Sequence, residues 1–551
     1  MEDGSAETHA VFNQSSDYAG FNAYRSDPLL KLLTADFPKE IVVSLDRLGS
    51  FCGSHEAHDL ARLANAEKPA LRRFDEKGHR LEMVDFHPAY HALMRRSIAE
   101  GLSASIWSGP DEEAGIRHRT RAARFLMTAG VECGHLCPLT MTSAAVAALG
   151  SSPALRDAWL PLIASRQYDP GVKPGLEKAG LTLGMGMTEK QGGTDVRANT
   201  TRAEPLGDGR YALTGHKWFM SAPMCDAFLV LAQTGAGSSC FLLPRRKADG
   251  ALNGMYFQRL KDKLGNRSNA SSEVEFRDAE AMLVGVEGRG IATILEMVTL
   301  TRVDCALASA GLMRGALAEA VHHCRERKVF GKHLIDQPQM TRVLGDLAID
   351  AAGATALAWR LAETLDRRDA DPDDIEAKAW ARVMTPVTKY WVCKLAPAFT
   401  YEAMECLGGN GYVEDSRLAR AYREAPVNAI WEGSGNVVAL DLLRVLKRDP
   451  DAFETVIDTI ERDLGDTAGR TPDVLRAAVA MVVSDEGSCR LLCEQMALAA
   501  AAGTLNGLGL GPIAHAFTET RLGGVFSHTY GMVDLRHDCR AIIDDLYPPL
   551  R

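Results

Sequence analysis

The sequence predicts a mainly α-helical protein with a central antiparallel β-domain and a further helical region at its C-terminal end. Its length of 551 residues corresponds to about three or four domains at roughly 150 residues each. Apolar residues recur at helical spacing before about residue 180 and again after Gly290, and short alternating runs fill the segment between. Because strands and helices do not alternate along the chain, a doubly wound parallel sheet is not expected.

The first 180 residues predict an N-terminal helical domain, which we place at residues 1–180. Runs with helical spacing of apolar residues are Leu29–Leu33, Ala92–Leu102 and Ala144–Leu149.

A β-domain is predicted over residues 181–285. The turn Gly207-Asp208-Gly209 separates the runs Asn199–Glu204 and Arg210–Leu213, an arrangement typical of a β-hairpin. Further short runs, bounded by Gly, Ser and Pro, are Asp226–Gln233, Cys240–Leu243 and Ser272–Phe276.

Helical periodicity returns after Gly290 and predicts long helices over residues 286–446. The Asp-rich segment Lys447–Glu454 then opens an additional helical domain over residues 447–551. The charge-free stretch from Gln495 to Thr518 contains Asn, Pro and several glycines, so it is too interrupted to span a membrane. We expect a buried helix over Met496–Ala502 that ends at Gly503, and no membrane insertion.

Composition and charge limit the classes of protein. The chain has a net charge of −10 and 46% hydrophobic residues, which excludes collagen-like, disordered and small disulfide-rich classes. Twelve sparse cysteines and no signal peptide indicate a reducing cytoplasm, with buried inert thiols rather than a metal site. The mild acidity provides no global attraction for nucleic acid.

Three loops are candidates for binding or catalysis, although no Walker A sequence and no dinucleotide fingerprint is present. Each loop combines glycines, which allow close approach of a ligand, with polar side chains. In the third loop, apolar neighbours would desolvate Glu432, raise its pKa and suit it to proton transfer. The loops are Met185–Asp195, Leu407–Tyr412 and Ala429–Asn436.

The order of these loops resembles that in the acyl-CoA dehydrogenase family of flavoproteins. The matching blocks are MTEKQGGTDV (Met187–Val196), GHKWFMS (Gly215–Ser221), RERKVFGK (Arg325–Lys332), and LGGNGY followed by WEGSGN. The resemblance covers nearly the whole chain up to about Leu446. It implies a helical domain, a β-domain, a four-helix bundle over residues 286–446, an FAD cofactor and assembly as a homotetramer.

The resemblance also implies roles for individual residues. Glu432 would remove the α-proton of an acyl thioester while the β-hydrogen leaves as hydride to flavin N5. Arg302 and Trp431 stand at substrate positions, and a helix-end ion pair is an equal alternative for Arg302. Residues implied to contact the flavin ring or pyrophosphate are Met187, Thr188, Thr194, Phe219 and Ser221. Ser434 and Asn436 match residues that contact FAD after the catalytic glutamate. Those implied to hold the adenosine diphosphate half, partly across a subunit interface, are Arg327, Phe330, Gly408 and Gly409.

Within this family the chain resembles the AidB-type (alkylation-response) subgroup, whose members hold FAD and are associated with double-stranded DNA binding. The segments that carry this resemblance are Val11–Gln14, Arg62–Asp75, Cys137–Thr142, Lys263–Phe276 and the extra C-terminal region. Two positions depart from the wider family. Glu405 stands where many members have a glutamine that contacts the adenosine half, and Trp431 stands where many dehydrogenases have tyrosine.

Two functions therefore remain open from the sequence, beside a third possibility, oxygen-using flavin chemistry, that no residue selects. The first is an FAD-dependent oxidoreductase that acts on an acyl-CoA-like substrate and passes electrons to an unidentified acceptor. The second is an AidB-type flavoprotein that binds double-stranded DNA and has weak or vestigial dehydrogenase activity. Residues 447–551 contain ten Lys and Arg against sixteen Asp and Glu, a net charge of −6. Because DNA affinity requires cations that neutralise phosphates, this charge favours the first function.

Overall fold

The computed structural model describes residues 8–523, 529–532 and 537–550. Its N-terminal part is a layer of helices: α1 (Pro28–Leu33), α2 (Lys39–Cys52), α3 (His55–Ala66), then strands β1 (Ala70–Phe74) and β2 (Arg80–Asp85), followed by α4 (Pro88–Ala99), α5 (Pro110–Glu113), α6 (Arg117–Ala129), α7 (Leu136–Leu149) and α8 (Pro153–Ile163). Helix starts follow local chemistry: the Asp27 carboxylate caps α1 by accepting from the Leu30 N–H, and Ser54 caps α3 through Ala57.

The β1–β2 hairpin is an addition to the helical domain that the sequence predicted. Its strands pair antiparallel, with Leu71 opposite Val84. The turn between them uses Gly78 at φ 83°, a left-handed conformation that glycine adopts without steric cost. Helical periodicity dominates the surrounding sequence, so two short strands within it gave too weak a signal to be predicted.

The central β-domain contains β3 (Leu183–Gly186), β4 (Arg202–Gly207), β5 (Arg210–Ser221), β6 (Ala227–Thr234), β7 (Gly237–Pro244), β8 (Met255–Leu260) and β9 (Ser271–Val284). The strand order is β3-β6-β4-β5-β9-β7, and β7 also pairs with β6. The predicted hairpin at Gly207-Asp208-Gly209 joins β4 to β5. Most pairings are antiparallel, whereas β3 runs parallel to β6.

Three long helices follow the β-domain, and two of them carry side chains that contact the turn of Glu432. The elements are α9 (Gly290–Glu326), β10 (Lys328–Val329), β11 (Lys332–His333), α10 (Pro338–Ala370), α11 (Ile375–Glu405), α12 (Gly409–Tyr412), α13 (Arg417–Asn428) and α14 (Gly435–Arg448). The thiol of Cys393 in α11 donates to the carbonyl of Cys305 in α9, near the middle of both helices. Cys406 contacts Cys324 near the C-terminal ends of the same two helices. Helices α9 and α11 therefore run side by side in the same direction.

The C-terminal region packs onto this bundle. Its helices are α15 (Pro450–Leu464), α16 (Thr471–Ser484), α17 (Cys489–Gly507), α18 (Gly511–Phe517) and α19 (Cys539–Leu546). Helix α17 continues through Gly503, so the prediction that a helix over Met496–Ala502 ends there is wrong. A Cβ at Gly503 would lie 3.0 Å from the Asp463 Cβ of α15, so this glycine allows two helices to approach closely rather than ending one.

The predicted fold class is confirmed: helical regions surround a β-domain, and an additional helical region follows the bundle. One continuous apolar core joins the N-terminal helices, the bundle and the C-terminal helices, while the β-domain has a second core of its own. All twelve cysteines are buried free thiols, as predicted. In the described ranges no helix is long and apolar enough to cross a membrane. The division into 1–180, 181–285, 286–446 and 447–551 stays a prediction.

Candidate active site

Glu432 lies on a tight turn between α13 and α14. Its φ of 56° and the φ of 106° at Gly433 are both left-handed, a conformation that is strained for a glutamate. The turn is held by two cations of the long helices. Lys389 Nζ donates to the Gly433 carbonyl at 2.5 Å, and Arg302 Nε donates to the Glu432 carbonyl at 3.0 Å.

The Glu432 carboxylate accepts a hydrogen bond from Thr301 Oγ1 at 2.7 Å, and no further hydrogen bond to it is found among the described residues. Burial raises the pKa of Glu432, and the opposing effects of Thr301, Arg302 and Lys389 offset this only in part. The direction is the one expected from its apolar neighbours. A carboxyl group with a raised pKa and little hydrogen bonding is suited to accept a proton.

Arg302 is a positioning residue in this geometry. It lies well inside α9 rather than at its start, and its Nη2 donates to the Asp441 carboxylate of α14 at 2.6 Å. Both groups bonded to its guanidinium therefore belong to the protein and fix the turn that carries Glu432. Of the two roles left open by the sequence, the ion pair is present; a role toward substrate stays a prediction.

The loop after β3 and the end of β5 meet beside this turn. Met187, like Trp431, packs against the β-domain core, and the Thr188 carbonyl accepts from the Trp218 N–H at 2.8 Å. Ser221, the last residue of β5, shares a hydrogen bond of 3.2 Å with Ser271 of β9.

A buried ion pair fixes the position of this loop. Glu189 and Lys217 are fully buried, and their charged atoms are 2.8 Å apart. Burial alone would raise the pKa of Glu189, but Lys217 and the hydrogen bonds from Thr201 and Thr200 lower it to about 2. The buried ion pair therefore anchors the inner side of the loop, whereas its outer residues are exposed.

Four predicted site residues lie on the surface next to these loops. Phe219 is 49% exposed, with the Lys261 ammonium 4.6 Å from its ring centroid. Thr194, Ser434 and Asn436 are also exposed. The Asn436 amide oxygen accepts a long hydrogen bond of 3.5 Å from Arg490 of α17, so the C-terminal region reaches the edge of the site.

The remaining predicted residues lie at the opposite end of α9. Arg327 is the C-cap of α9, and Phe330 is 99% exposed at the tip of the β10–β11 hairpin. Gly408 and Gly409 are exposed at the end of α11, and a Cβ at either position would meet nothing. Arg302 and Arg327 are 25 residues apart, about 37 Å along a helix at about 1.5 Å per residue. The structure therefore separates the predicted site into two groups.

Comparison with known proteins identifies the architecture. The AidB adaptive response protein N-terminal domain matches residues 13–170, the acyl-CoA dehydrogenase middle domain matches 184–279, and the acyl-CoA dehydrogenase C-terminal domain matches 288–447. The Escherichia coli (strain K12) protein "Putative acyl-CoA dehydrogenase AidB" is 49% identical over 450 residues, which cover 81% of this chain and 82% of that protein. The chain belongs to the acyl-CoA dehydrogenase family.

A second relative and a solved structure agree with this assignment. Caenorhabditis elegans acyl-CoA dehydrogenase family member 11 is 33% identical over 466 residues, 81% of this chain and 74% of that protein. The solved structure of Caenorhabditis elegans ACDH-11 in complex with C11-CoA has a TM-score of 0.84 at 27% identity and covers 96% of this chain and 95% of that one. The AidB-type resemblance is thus confirmed, and the chain is an FAD-dependent oxidoreductase of the acyl-CoA dehydrogenase family.

The loops beside Glu432 fit the flavin of this family. The half-exposed ring of Phe219 offers a flat apolar face, and Thr188 and Ser221 supply hydroxyl groups on the neighbouring strand ends. An isoalloxazine combines a planar ring with polar edges, so an aromatic face flanked by hydroxyls suits its chemistry.

Sequence reasoning missed several residues of the site. Thr301 and Lys389 contact the Glu432 turn although they are far from it in sequence. Cys137 of α7 lies near Ser221 and Glu432: burial raises the pKa of its thiol, and both of these residues also affect that pKa. The sequence offered only the CPLTMT segment as a signal for Cys137.

Separately, His515, Glu519 and His537 bring three ligand-type atoms within 4.8 Å of one another in the C-terminal region, although no metal site was predicted.

Proposed function

We propose that this oxidoreductase oxidises the Cα–Cβ bond of an acyl-CoA-like thioester, with Glu432 as the base that removes the α-proton. The observation that carries the proposal is the isolated Glu432 carboxylate on a strained turn, with a pKa raised by burial. General bases work best when their pKa lies near the operating pH, and burial moves a carboxyl group in that direction. The complex of ACDH-11 with C11-CoA supports an acyl-CoA as the substrate class.

Each protein group near Glu432 has a defined task in this reaction. The Glu432 carboxylate takes the proton, and Thr301 orients it through the hydrogen bond of 2.7 Å. Lys389 and Arg302 hold the turn by its two carbonyls, which leaves the side chain free to face the substrate. FAD, when bound, supplies the acceptor for the hydride that leaves Cβ.

We further propose that FAD is held by two copies of the chain. The flavin ring and pyrophosphate would lie against Met187, Thr188, Thr194, Phe219, Ser221, Ser434 and Asn436, and the adenosine diphosphate half against Arg327, Phe330, Gly408 and Gly409. Arg302, beside the Glu432 turn, and Arg327 are 25 residues apart on α9, about 37 Å at about 1.5 Å per residue. This distance between the two regions of one chain supports a cofactor shared with a second copy, as in a homotetramer.

The anaerobic visible spectrum tests the reaction. We expect the flavin band to bleach when a suitable acyl-CoA is added to the wild-type protein, and to remain in Glu432→Gln. Phe219→Leu serves as a control that alters the proposed flavin face but retains the base, so it should change the flavin spectrum while bleaching persists. A wild-type flavin band that no short, branched or long acyl-CoA alters would overturn the proposal.

Binding of double-stranded DNA is a second candidate, which rests on the AidB-type resemblance alone. Four of the seven described arginines after Lys447 pair with acidic groups: Arg462, Arg476, Arg521 and Arg540. Paired cations neutralise few phosphates. We therefore expect no gel shift of a duplex at 150 mM salt, and a shift whose strength falls steeply with added salt would establish DNA binding.

A further inference from the structure

A cavity of about 220 Å³ lies between the N-terminal helices and the β-domain. Its wall includes apolar side chains from β2 and the residue after it, from α4, from the segment between α8 and β3, and from the segment after β5: Val84, Phe86, Met94, Ile98, Val172 and Met224. An apolar wall of this kind accepts a hydrocarbon body. An engineered cavity of about 150 Å³ holds benzene, so this one has room for about nine non-hydrogen atoms.

Arg245 places a charge in this apolar cavity. It follows β7 immediately, is 5% exposed and lines the cavity. Its Nε and Nη1 atoms are buried without a hydrogen-bond partner. Its backbone is fixed, because its N–H donates to the Asp226 carbonyl at 2.9 Å and its carbonyl accepts from Asn253. The backbone of Arg245 is thus fixed, and its buried guanidinium retains unused hydrogen-bond donors.

The acidic groups around the cavity are already occupied. Asp226 accepts from Lys178 Nζ at 2.8 Å and from the Thr182 N–H at 2.9 Å. Its charge also acts on Arg245, so two buried cations, Lys178 and Arg245, share one carboxylate. Of the other two acidic lining residues, Asp85 pairs with an arginine at 2.8 Å and Asp169 with a lysine at 3.1 Å.

Two neutral polar side chains of the cavity are engaged with each other. His91 Nδ1 and the Tyr168 hydroxyl share a hydrogen bond of 2.7 Å. Burial lowers the pKa of Arg245, whereas the nearby Asp226 carboxylate raises the same pKa. In either case the guanidinium stays protonated at neutral pH. The cavity thus contains an uncompensated positive charge.

We infer that this cavity binds a small carboxylate carried on an apolar chain of about six carbons, with the carboxylate at Arg245. The Nη1 and Nη2 groups of a guanidinium form an end-on fork that matches the two oxygens of a carboxylate, and among the described residues neither group of Arg245 donates a side-chain hydrogen bond. The apolar wall excludes a strongly hydrated anion such as free phosphate, because such a ligand would lose its water without replacing it.

Two sources can supply such a carboxylate. One is a free carboxylic acid that occupies the cavity by itself. The other is the far end of an acyl chain bound at the active site, because Ala222 and Pro138, which line the cavity, directly follow Ser221 and Cys137. This second source rests on the proposed function, whereas the first does not.

Calorimetric titration of the FAD-loaded protein with hexanoate and with hexanamide tests the binding site itself. The two probes have nearly the same shape, so the amide measures the apolar cavity and the acid adds the charge. We expect wild type to bind hexanoate about tenfold or more tighter than hexanamide. We expect Arg245→Met to lose this preference while retaining hexanamide binding, which also shows that the variant is folded. Arg246→Met is the matched control, since the Arg246 guanidinium donates to the Gly250 carbonyl instead.

The outcomes are distinct. Equal affinity for acid and amide in the wild-type protein, or an unchanged preference in Arg245→Met, would overturn the inference. If Arg245→Met does not fold, the preference of the wild-type protein for hexanoate and the variant Arg245→Lys decide the question. Arg245→Lys should keep a preference for the acid that is weaker than in wild type.

A second titration identifies the source of the carboxylate. Hexanoyl-CoA and its analogue with a terminal carboxylate are compared by binding to Glu432→Gln, in which no turnover occurs. The acyl-chain source is supported if adding Arg245→Met to Glu432→Gln weakens binding of the carboxylate analogue by about tenfold and leaves binding of hexanoyl-CoA unchanged. Hexanoate binding without any such effect supports the free acid. Loss of the proposed dehydrogenase activity would leave the hexanoate result intact, so the two proposals fail separately.

Discussion

The two ends of α9 differ in how complete they are within one chain. At the Glu432 end, the turn is bonded to Lys389, Arg302 and Thr301 of the same chain. At the Arg327 end, Phe330 is 99% exposed and the backbone of Gly408 and Gly409 faces open space. The first end is held by bonds within one chain, and the second is open, which agrees with the proposal that a second copy completes it. Function at one end should therefore depend on internal geometry and at the other on assembly.

The largest expected effect comes from the base. Glu432→Gln removes the proton acceptor but keeps the size of the side chain, so we expect flavin reduction by a substrate acyl-CoA to slow by about a thousandfold. FAD content and particle size should match the wild type, because neither depends on this carboxylate. Stopped-flow absorbance of the flavin measures the rate, and a fall of less than tenfold would assign the proton transfer to another group.

Changes at the opposite end should produce the reverse pattern. Phe330→Ala with Arg327→Ala removes the exposed aromatic ring of the hairpin and the arginine that caps α9, so we expect FAD to dissociate about tenfold more readily and the particle to become smaller. Flavin content and light scattering after size exclusion measure the two effects.

Val286→Ala is the control for that variant. Val286 is also an exposed apolar residue, at 67%, but it lies outside both groups. Its particle size and flavin content should be unchanged. If the Phe330 and Arg327 variant keeps both its FAD and its size, the second copy does not complete the site.

A subtler change sharpens the description of the Glu432 end. The Thr301 hydrogen bond lowers the pKa of Glu432 against the effect of burial, so Thr301→Val should raise that pKa further. Because the base acts only when ionised, the acid limb of the rate profile should move to higher pH by about one unit. Thr299→Val is a matched control on the same helix, since its hydroxyl bonds to the Leu295 carbonyl. An unmoved acid limb would show that Thr301 does not set the ionisation of the base.

The sequence predicted these two ends unequally. Periodicity and turn residues predicted the helical regions, the β-domain and the hairpin at Gly207-Asp208-Gly209, because these signals are local. The apolar neighbours of Glu432 likewise predicted the direction of its pKa shift. Thr301 and Lys389 were not predicted, because their contacts join residues 131 and 44 positions apart. The sequence predicts a helix end at Gly503, which is wrong. The neighbour that favours glycine there, Asp463, lies on a different helix and therefore gives no local sequence signal.

The smallest effect concerns stability and again separates the two ends. The folded state favours the neutral form of Glu432, because burial raises its pKa above the unfolded value of about 4.3. The folded protein then binds more protons than the unfolded chain above that pH, so stability from this group is lost as pH rises through the folded pKa. Glu432→Gln should therefore melt about 1 °C higher than wild type at pH 8, with a smaller difference at pH 5. Glu414→Gln at the Arg327 end should give no gain, because Glu414 is exposed and paired with Arg423. Melting curves at both pH values measure this, and a gain for Glu414→Gln equal to that for Glu432→Gln would show that burial at the catalytic turn is not its cause.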